Sequence, residues 1–162
     1  MKDSAPGSDR PHGPAYIVRR LRSRRVVVSD RSMEPALHDG DRLLIDPAAY
    51  KEREPKVGDL VVFPDPRETR RLLVKRVALV AGARAFITRD GVVPVAPGSS
   101  LEGTPPEGSI EGLTVPVGEL FVLADRREDG RDSRQFGPVR VERLLGVAWY
   151  RTAPSERSGP LG

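Results

Sequence analysis

Leu72-Leu73-Val74-Lys75-Arg76-Val77-Ala78-Leu79-Val80 is the most strongly β-forming run in the chain, and its reading decides the fold class. Successive side chains of a strand point to opposite faces. Leu73, Lys75, Val77 and Leu79 therefore share one face, and Leu72, Val74, Arg76, Ala78 and Val80 the other. Each face is apolar but for a single cation. A lysine on such a face is unusual, because lysines are rarely buried without a partner. Desolvation disfavours the ammonium form and turns a lysine into a base near neutral pH. Arginine cannot serve in that way, because it stays protonated. A solvated edge, or a lysine that snorkels outward, satisfies the same pattern.

Outward from this run the chain reads as further short strands set between turns. Val57-Gly58-Asp59 is a turn that feeds Leu60 to Phe63, which Pro64 and Pro66 end. His38-Asp39-Gly40 is another turn and leads into a strand over Arg42 to Asp46. Tyr16 to Val18 and Arg25 to Val28 read as short strands around the basic stretch Arg19 to Arg25. On the far side, Ala85 to Arg89 and Val92 to Val95 flank Asp90-Gly91, a strong hairpin signal. Ala96 to Thr114 reads as loop, and Glu119 to Ala124 and Val139 to Tyr150 as the last strands. No long amphipathic helix is evident. The expected fold class is mostly β. Residues 1–14 and 153–162, rich in Gly, Pro, Ser and charge, read as a disordered leader and tail around one domain over 15–152.

Composition narrows the chemistry. Of 162 residues, 38% are apolar, with a net charge of +4 and a pI near 9.8. A basic excess of this size serves solubility, and it also suits an anionic membrane surface or nucleic acid. Aromatic residues are only 5% and none interleaves with Arg19 to Arg25, so a nucleic-acid partner is not expected. The chain has no cysteine, which removes disulfides, thiolate metal sites and a cysteine nucleophile. Its two histidines are His12, in the leader, and His38, in a turn read as solvated. No His/Asp/Glu cluster has ligand spacing, so neither metal nor cofactor is expected. No apolar run approaches a membrane span, and no secretory signal is present. The sequence alone points to a cytoplasmic protein, or one held peripherally on the inner membrane surface.

Ser32 follows three valines, Val26 to Val28, and opens a turn that Pro35 enforces. Such a corner can present a hydroxyl outside the sheet. A lone turn serine is also a common local hydrogen-bonding residue. As a nucleophile it needs a base, and the non-histidine candidate on an apolar strand is Lys75, 43 residues later.

Four segments carry a family resemblance. Ser32-Met33-Glu34-Pro35-Ala36-Leu37 resembles the Ser-Met-x-Pro-Thr-Leu segment of type I signal peptidases. Gly58 to Phe63 resembles their next block, and Leu73-Val74-Lys75-Arg76-Val77 the strand that carries their catalytic lysine. Asp132-Ser133-Arg134-Gln135-Phe136-Gly137-Pro138-Val139 is similar to their late Asp-Ser-Arg-x-x-Gly-x-Val block. The blocks keep the family's order from Val28 to Tyr150. The resemblance implies an irregular β core with a β-rich insert at about residues 83–116. It implies a serine endopeptidase, in which neutral Lys75 deprotonates Ser32 and an acyl-enzyme forms and is hydrolysed. It implies that Met33 lines the substrate cleft and that Arg76, Asp132, Ser133 and Arg134 support the site. It implies an extended protein substrate with small residues such as Ala at the cleavage site. The plan also resembles that of the short family members similar to the nickel superoxide dismutase maturation protease, which implies removal of an N-terminal leader from a client.

Several positions depart from the pattern. Asp30 stands where the family has Ser, Thr or Gly, beside the oxyanion. An ionised carboxylate there is repulsive, so Asp30 is expected to point away, to be protonated, or to leave the second oxyanion donor to another group. Ala124-Asp125-Arg126 replaces Gly-Asp-Asn, and Gly130 replaces a serine that often supports the lysine. These changes also suit a catalytically weakened β module that binds peptides or an anionic surface.

Overall fold

The computed structural model describes residues 13–96, 99, 101, 104–128 and 130–161. The chain begins with helix α1 (Pro14–Arg22) and strands β1 (Arg24–Val27) and β2 (Arg42–Asp46), followed by the short helix α2 (Ala49–Glu52). Strands β3 (Leu60–Pro64), β4 (Leu72–Leu79), β5 (Arg84–Thr88), β6 (Gly91–Pro94), β7 (Ser109–Thr114) and β8 (Glu119–Leu123) come next. After helix α3 (Ser133–Phe136) come β9 (Val139–Arg140), β10 (Gly146–Ala153) and β11 (Gly159–Pro160). The fold is mostly β, as the turn spacing and strand-sized runs imply.

One sheet runs in the order β1-β2-β10-β3-β4-β8-β9, with β11 added to β10. Its pairings are antiparallel. The second sheet, β6-β5-β7, falls within the residues read as an insert and is built on the Asp90-Gly91 hairpin. The main core is lined by Val61, Phe63, Leu73, Val77, Leu120, Val122 and Val147. A second cluster, with Met33, Leu37, Leu43, Ile45 and Val62, lies next to Ser32. Gly146 lets β10 cross β2 closely, because a Cβ there would lie 2.5 Å from the Asp46 carbonyl oxygen.

Three sequence expectations are corrected. Tyr16 to Val18 lie in a helix, not a strand. Pro14 opens the helix, where a missing N–H costs nothing. Tertiary contacts override the β preference of Tyr-Ile-Val: Tyr16 packs edge-on against Trp149 and Tyr150, and the Arg19 guanidinium sits 4.5 Å from the Trp149 ring centre. Arg19 and Arg22 both reach the buried Asp46 carboxylate. The second correction is β7, a strand in the span read as loop. The third is the tail. Residues 153–161 are folded back, because β11 pairs with β10 and Arg157 binds the buried carboxylate of Asp41 at 2.5 Å. Residues 1–12 of the expected leader lie outside the described residues, while Pro14 belongs to α1.

Candidate active site

Strand β4 alternates between buried and part-exposed positions along its length. Leu73, Lys75, Val77 and Leu79 form the buried face, and Lys75 is 1% exposed. The lysine therefore neither snorkels nor sits on a solvated edge. Its Nζ lies 2.7 Å from Ser32 Oγ and donates to the Val74 carbonyl at 3.0 Å. No carboxylate among the described residues is in hydrogen-bond contact with it. Burial pushes the Lys75 pKa down, and the more distant anions Asp30 and Asp132 only partly offset this.

Ser32 is buried at the corner after β1. Its carbonyl accepts a bond from the Arg126 N–H at 2.9 Å, which ties the corner to the loop after β8. Asp30 supplies the rest of its surroundings. Oδ1 of Asp30 accepts from the Ser32 hydroxyl at 2.6 Å and from the Ser32 N–H at 2.9 Å. The other oxygen accepts from Arg71 at 3.3 Å. Asp30 thus does not point away. Nor is it protonated: burial raises its pKa, but the two Ser32 bonds, Lys75 and Arg71 together hold it below the usual carboxylate range. The backbone contact had a signal that the sequence expectation passed over, since an aspartate commonly accepts from the N–H two residues on.

Arg71 was not foreseen as part of the site. It stands four residues before Lys75, and an even spacing along an extended chain puts two side chains on one side. With Asp30, Arg31, Ser32, Asp65, Leu73, Lys75 and Arg131 it lines a cleft of about 310 Å³. Asp65 is fully buried and paired with Arg131. A neighbouring hollow of about 190 Å³ is lined by Val26 to Asp30, Met33, Val62, Leu72 and Val74. Met33 does border that hollow, though it is almost wholly buried.

The remaining expected residues form a scaffold beside Ser32 and Lys75. Arg76 donates twice to Asp125, at 2.8 and 2.7 Å, and once to the Gly58 carbonyl. Asp132 is fully buried and caps α3, where it accepts from the N–H and Nε of Arg134. Arg134 also reaches the carbonyls of Arg89 and Arg127. The Ser133 hydroxyl accepts the Val122 N–H at 3.0 Å. This is a buried network, not a surface ion pair. Ala124 and Gly130 depart from the family pattern together: a Cβ on Gly130 would lie 2.1 Å from the Ala124 methyl. One methyl fills the space that a serine at 130 would need. His38, read as solvated, instead contacts Arg157 at 2.5 Å.

The model of the family described as signal peptidase, peptidase S26, matches residues 13–152. This chain belongs to the peptidase S26 family. A probable signal peptidase I-1 of Synechocystis sp. (strain PCC 6803) is 33% identical over 150 residues, covering 85% of this chain and 74% of that protein. Subunit 1b of the mitochondrial ATP-independent inner membrane protease of Arabidopsis thaliana is 33% identical over 132 residues, covering 81% and 70%. A crystal structure of a signal peptidase I from Enterococcus faecalis V583 is 25% identical, with a TM-score of 0.43, covering 59% of this chain and 97% of that one. The S26 peptidase described here is thus a serine endopeptidase. Among its described residues no helix is long and apolar enough to cross a membrane.

Proposed function

We propose that Ser32 is the nucleophile and Lys75 the general base of an endopeptidase that removes an N-terminal leader or signal segment from a client protein. The 2.7 Å contact between Lys75 Nζ and Ser32 Oγ inside a buried site carries this reading. Neutral Nζ takes the Ser32 proton as Oγ bonds to the scissile carbonyl carbon. The Ser32 N–H donates to the resulting oxyanion. The C–N bond then breaks, and the Lys75 ammonium returns its proton to the leaving amine. A water gives a proton to Lys75 as its oxygen bonds to the acyl carbon, the C–Oγ bond breaks, and the Lys75 ammonium returns that proton to Ser32 Oγ. Arg76, Asp132, Ser133 and Arg134 hold the strands and turn that position the dyad.

Two open backbone edges support an extended substrate. Among the described residues, strand β1 is paired only with β2, and the first half of β4, Leu72 to Lys75, pairs with β3 but not with β8. An extended peptide adds main-chain hydrogen bonds at such edges. The 190 Å³ hollow between them suits small side chains such as Ala. The deciding experiment is cleavage of leader-bearing proteins and Ala-x-Ala peptides by wild type, Ser32→Ala and Lys75→Ala. Cleavage by wild type alone supports the dyad, and a variant that cleaves as well as wild type refutes it. Binding without cleavage by wild type favours the weakened peptide-binding module, for which the Asp30 contact on Ser32 speaks.

Peripheral contact with anionic lipid is proposed through α1. Ile17, Val18 and Leu21 are 56%, 57% and 82% exposed. Arg20, Arg24 and Arg25 line a hollow of about 760 Å³ with Ile17 and Leu21. Arg19 and Arg22 are engaged by Asp46 and Glu52. Binding to phosphatidylglycerol vesicles that weakens with salt supports this contact, and indifference to salt counts against it.

A further inference from the structure

Ser32 has one hydroxyl proton and two groups that claim it. Asp30 Oδ1 stands 2.6 Å from Oγ and Lys75 Nζ stands 2.7 Å away. When the proton points to Asp30, Lys75 donates an N–H to Oγ, as amine or ammonium, and has no lone pair turned to the Ser32 proton. When the proton points to a neutral Lys75, Oγ and an ionised Asp30 are two acceptors facing each other with no hydrogen between them. The two arrangements exclude one another. Asp30 also accepts the Ser32 N–H, the donor that the oxyanion requires. One carboxylate thus occupies both functions of Ser32.

We infer that Asp30 is a latch on the nucleophile, which holds the site closed in the free enzyme and is drawn off onto Arg71 when substrate binds. The inference rests on the Ser32–Lys75 reading and adds the regulation of that site. Arg71 already touches Oδ2 at 3.3 Å and is half-exposed, so the carboxylate has a second partner within a small rotation. A substrate carbonyl that enters the cleft takes the Ser32 N–H, and the carboxylate, which would repel the developing oxyanion, moves to the guanidinium. With Asp30 off Oγ, the Ser32 proton turns to Lys75, which then acts as base. Where Lys75 is already the neutral amine only hydrogen bonds change in this step, and where it is an ammonium it first gives one proton to solvent water.

The charges that face Lys75 are accounted for. Asp132 is engaged by Arg134, Asp125 by Arg76 and Asp65 by Arg131. Arg31 lines the cleft and pairs with Glu34. Asp30 is the carboxylate in contact with the nucleophile itself, and Arg71 is its ion-pair partner. An anion near a cation favours the charged form, so the latch opposes the burial that disfavours the Lys75 ammonium.

The test uses two readouts on the full chain. The first is a ¹³Cε NMR titration of lysine, which is tractable because the chain has only Lys2, Lys51, Lys56 and Lys75. The Lys75 midpoint should move to lower pH in Asp30→Asn. A midpoint that is unchanged or raised overturns the latch, whether or not a substrate is in hand. The second readout is cleavage. Asp30→Ser should raise kcat/KM by about tenfold near neutral pH, the size expected when one charge-assisted hydrogen bond need no longer be broken. The rising limb of its pH profile should shift to lower pH. Arg71→Gln should slow the wild type by several-fold and have a smaller effect in the Asp30→Ser background. An equal loss in both backgrounds overturns the role of Arg71, and Asp30→Ser as inactive as Lys75→Ala overturns the latch. Ser32→Ala and Lys75→Ala run in parallel. If they cleave like wild type, the dyad reading fails; if they are dead and Asp30→Ser is no faster than wild type, the latch alone fails.

Discussion

Lys75 and Arg76 stand side by side on β4 and face opposite ways. Arg76 meets a carboxylate squarely, with two bonds to Asp125, and its pKa is raised, chiefly by those bonds. Lys75 meets a serine, a backbone carbonyl and apolar side chains, and burial moves its pKa down. Both are cations on strand faces that are otherwise apolar. The partner decides what each can do. A cation clasped by a carboxylate keeps its proton and braces the fold. A cation buried without such a clasp is poised to lose its proton, which is the property a base requires. The cost of that arrangement falls on stability, and a site of this kind is kept for its chemistry.

The largest effect is expected at Lys75 itself. Lys75→Arg should reduce cleavage by about 10²–10⁴-fold, like Lys75→Ala, because a guanidinium stays protonated. An active Lys75→Arg enzyme would show that the proton goes elsewhere. The next largest effect lies on the Arg76 side, in the loop that carries Asp125. Gly130→Ser drives a side chain into the Ala124 methyl and should cost about 2 kcal/mol in urea unfolding. Adding Ala124→Gly should restore most of it, and no rescue would refute the methyl exchange inferred here.

Smaller effects sharpen the contrast, because they have opposite signs. Arg76→Gln should lower stability by about 1 kcal/mol, since it leaves Asp125 without its cation in a half-exposed pair. Lys75→Met should raise stability by about 1 kcal/mol while it abolishes cleavage. The sign of its pH dependence follows from the lowered pKa. The folded protein binds fewer protons than the unfolded chain between Lys75's own midpoint and the ordinary lysine value. Wild-type stability therefore rises with pH in that window, and the advantage of Lys75→Met is largest below it. A gain that does not fade as pH rises through the window would contradict this.

The β class and the buried face of β4 were legible because both rest on a period of two, which the sequence displays directly. Ser32 was legible only with the family blocks, since a turn serine has no periodic signature. Helix α1 was not legible, because the groups that hold it, Trp149 and Asp46, lie far along the chain. The tail was misread for the same reason: its Gly, Pro and Ser content says nothing of Arg157 reaching Asp41. Strand β7 carries Gly112 and few apolar residues, and it owes its place to pairing with β5. Within the site, the approach of Asp30 to the Ser32 N–H was not expected, although an aspartate two residues before an N–H commonly accepts from it. Its hold on the hydroxyl depends on the rotamers that burial imposes.

On the proposed mechanism, Lys75 titrates as a buried base beside Ser32. A ¹³Cε titration of the wild-type protein tests it most directly, with Lys75 assigned by comparison with Lys75→Met. The Lys75 midpoint should lie below those of the exposed Lys51 and Lys56, and the rising limb of the cleavage rate should follow the same midpoint. A Lys75 signal that titrates together with Lys51 and Lys56 would contradict it.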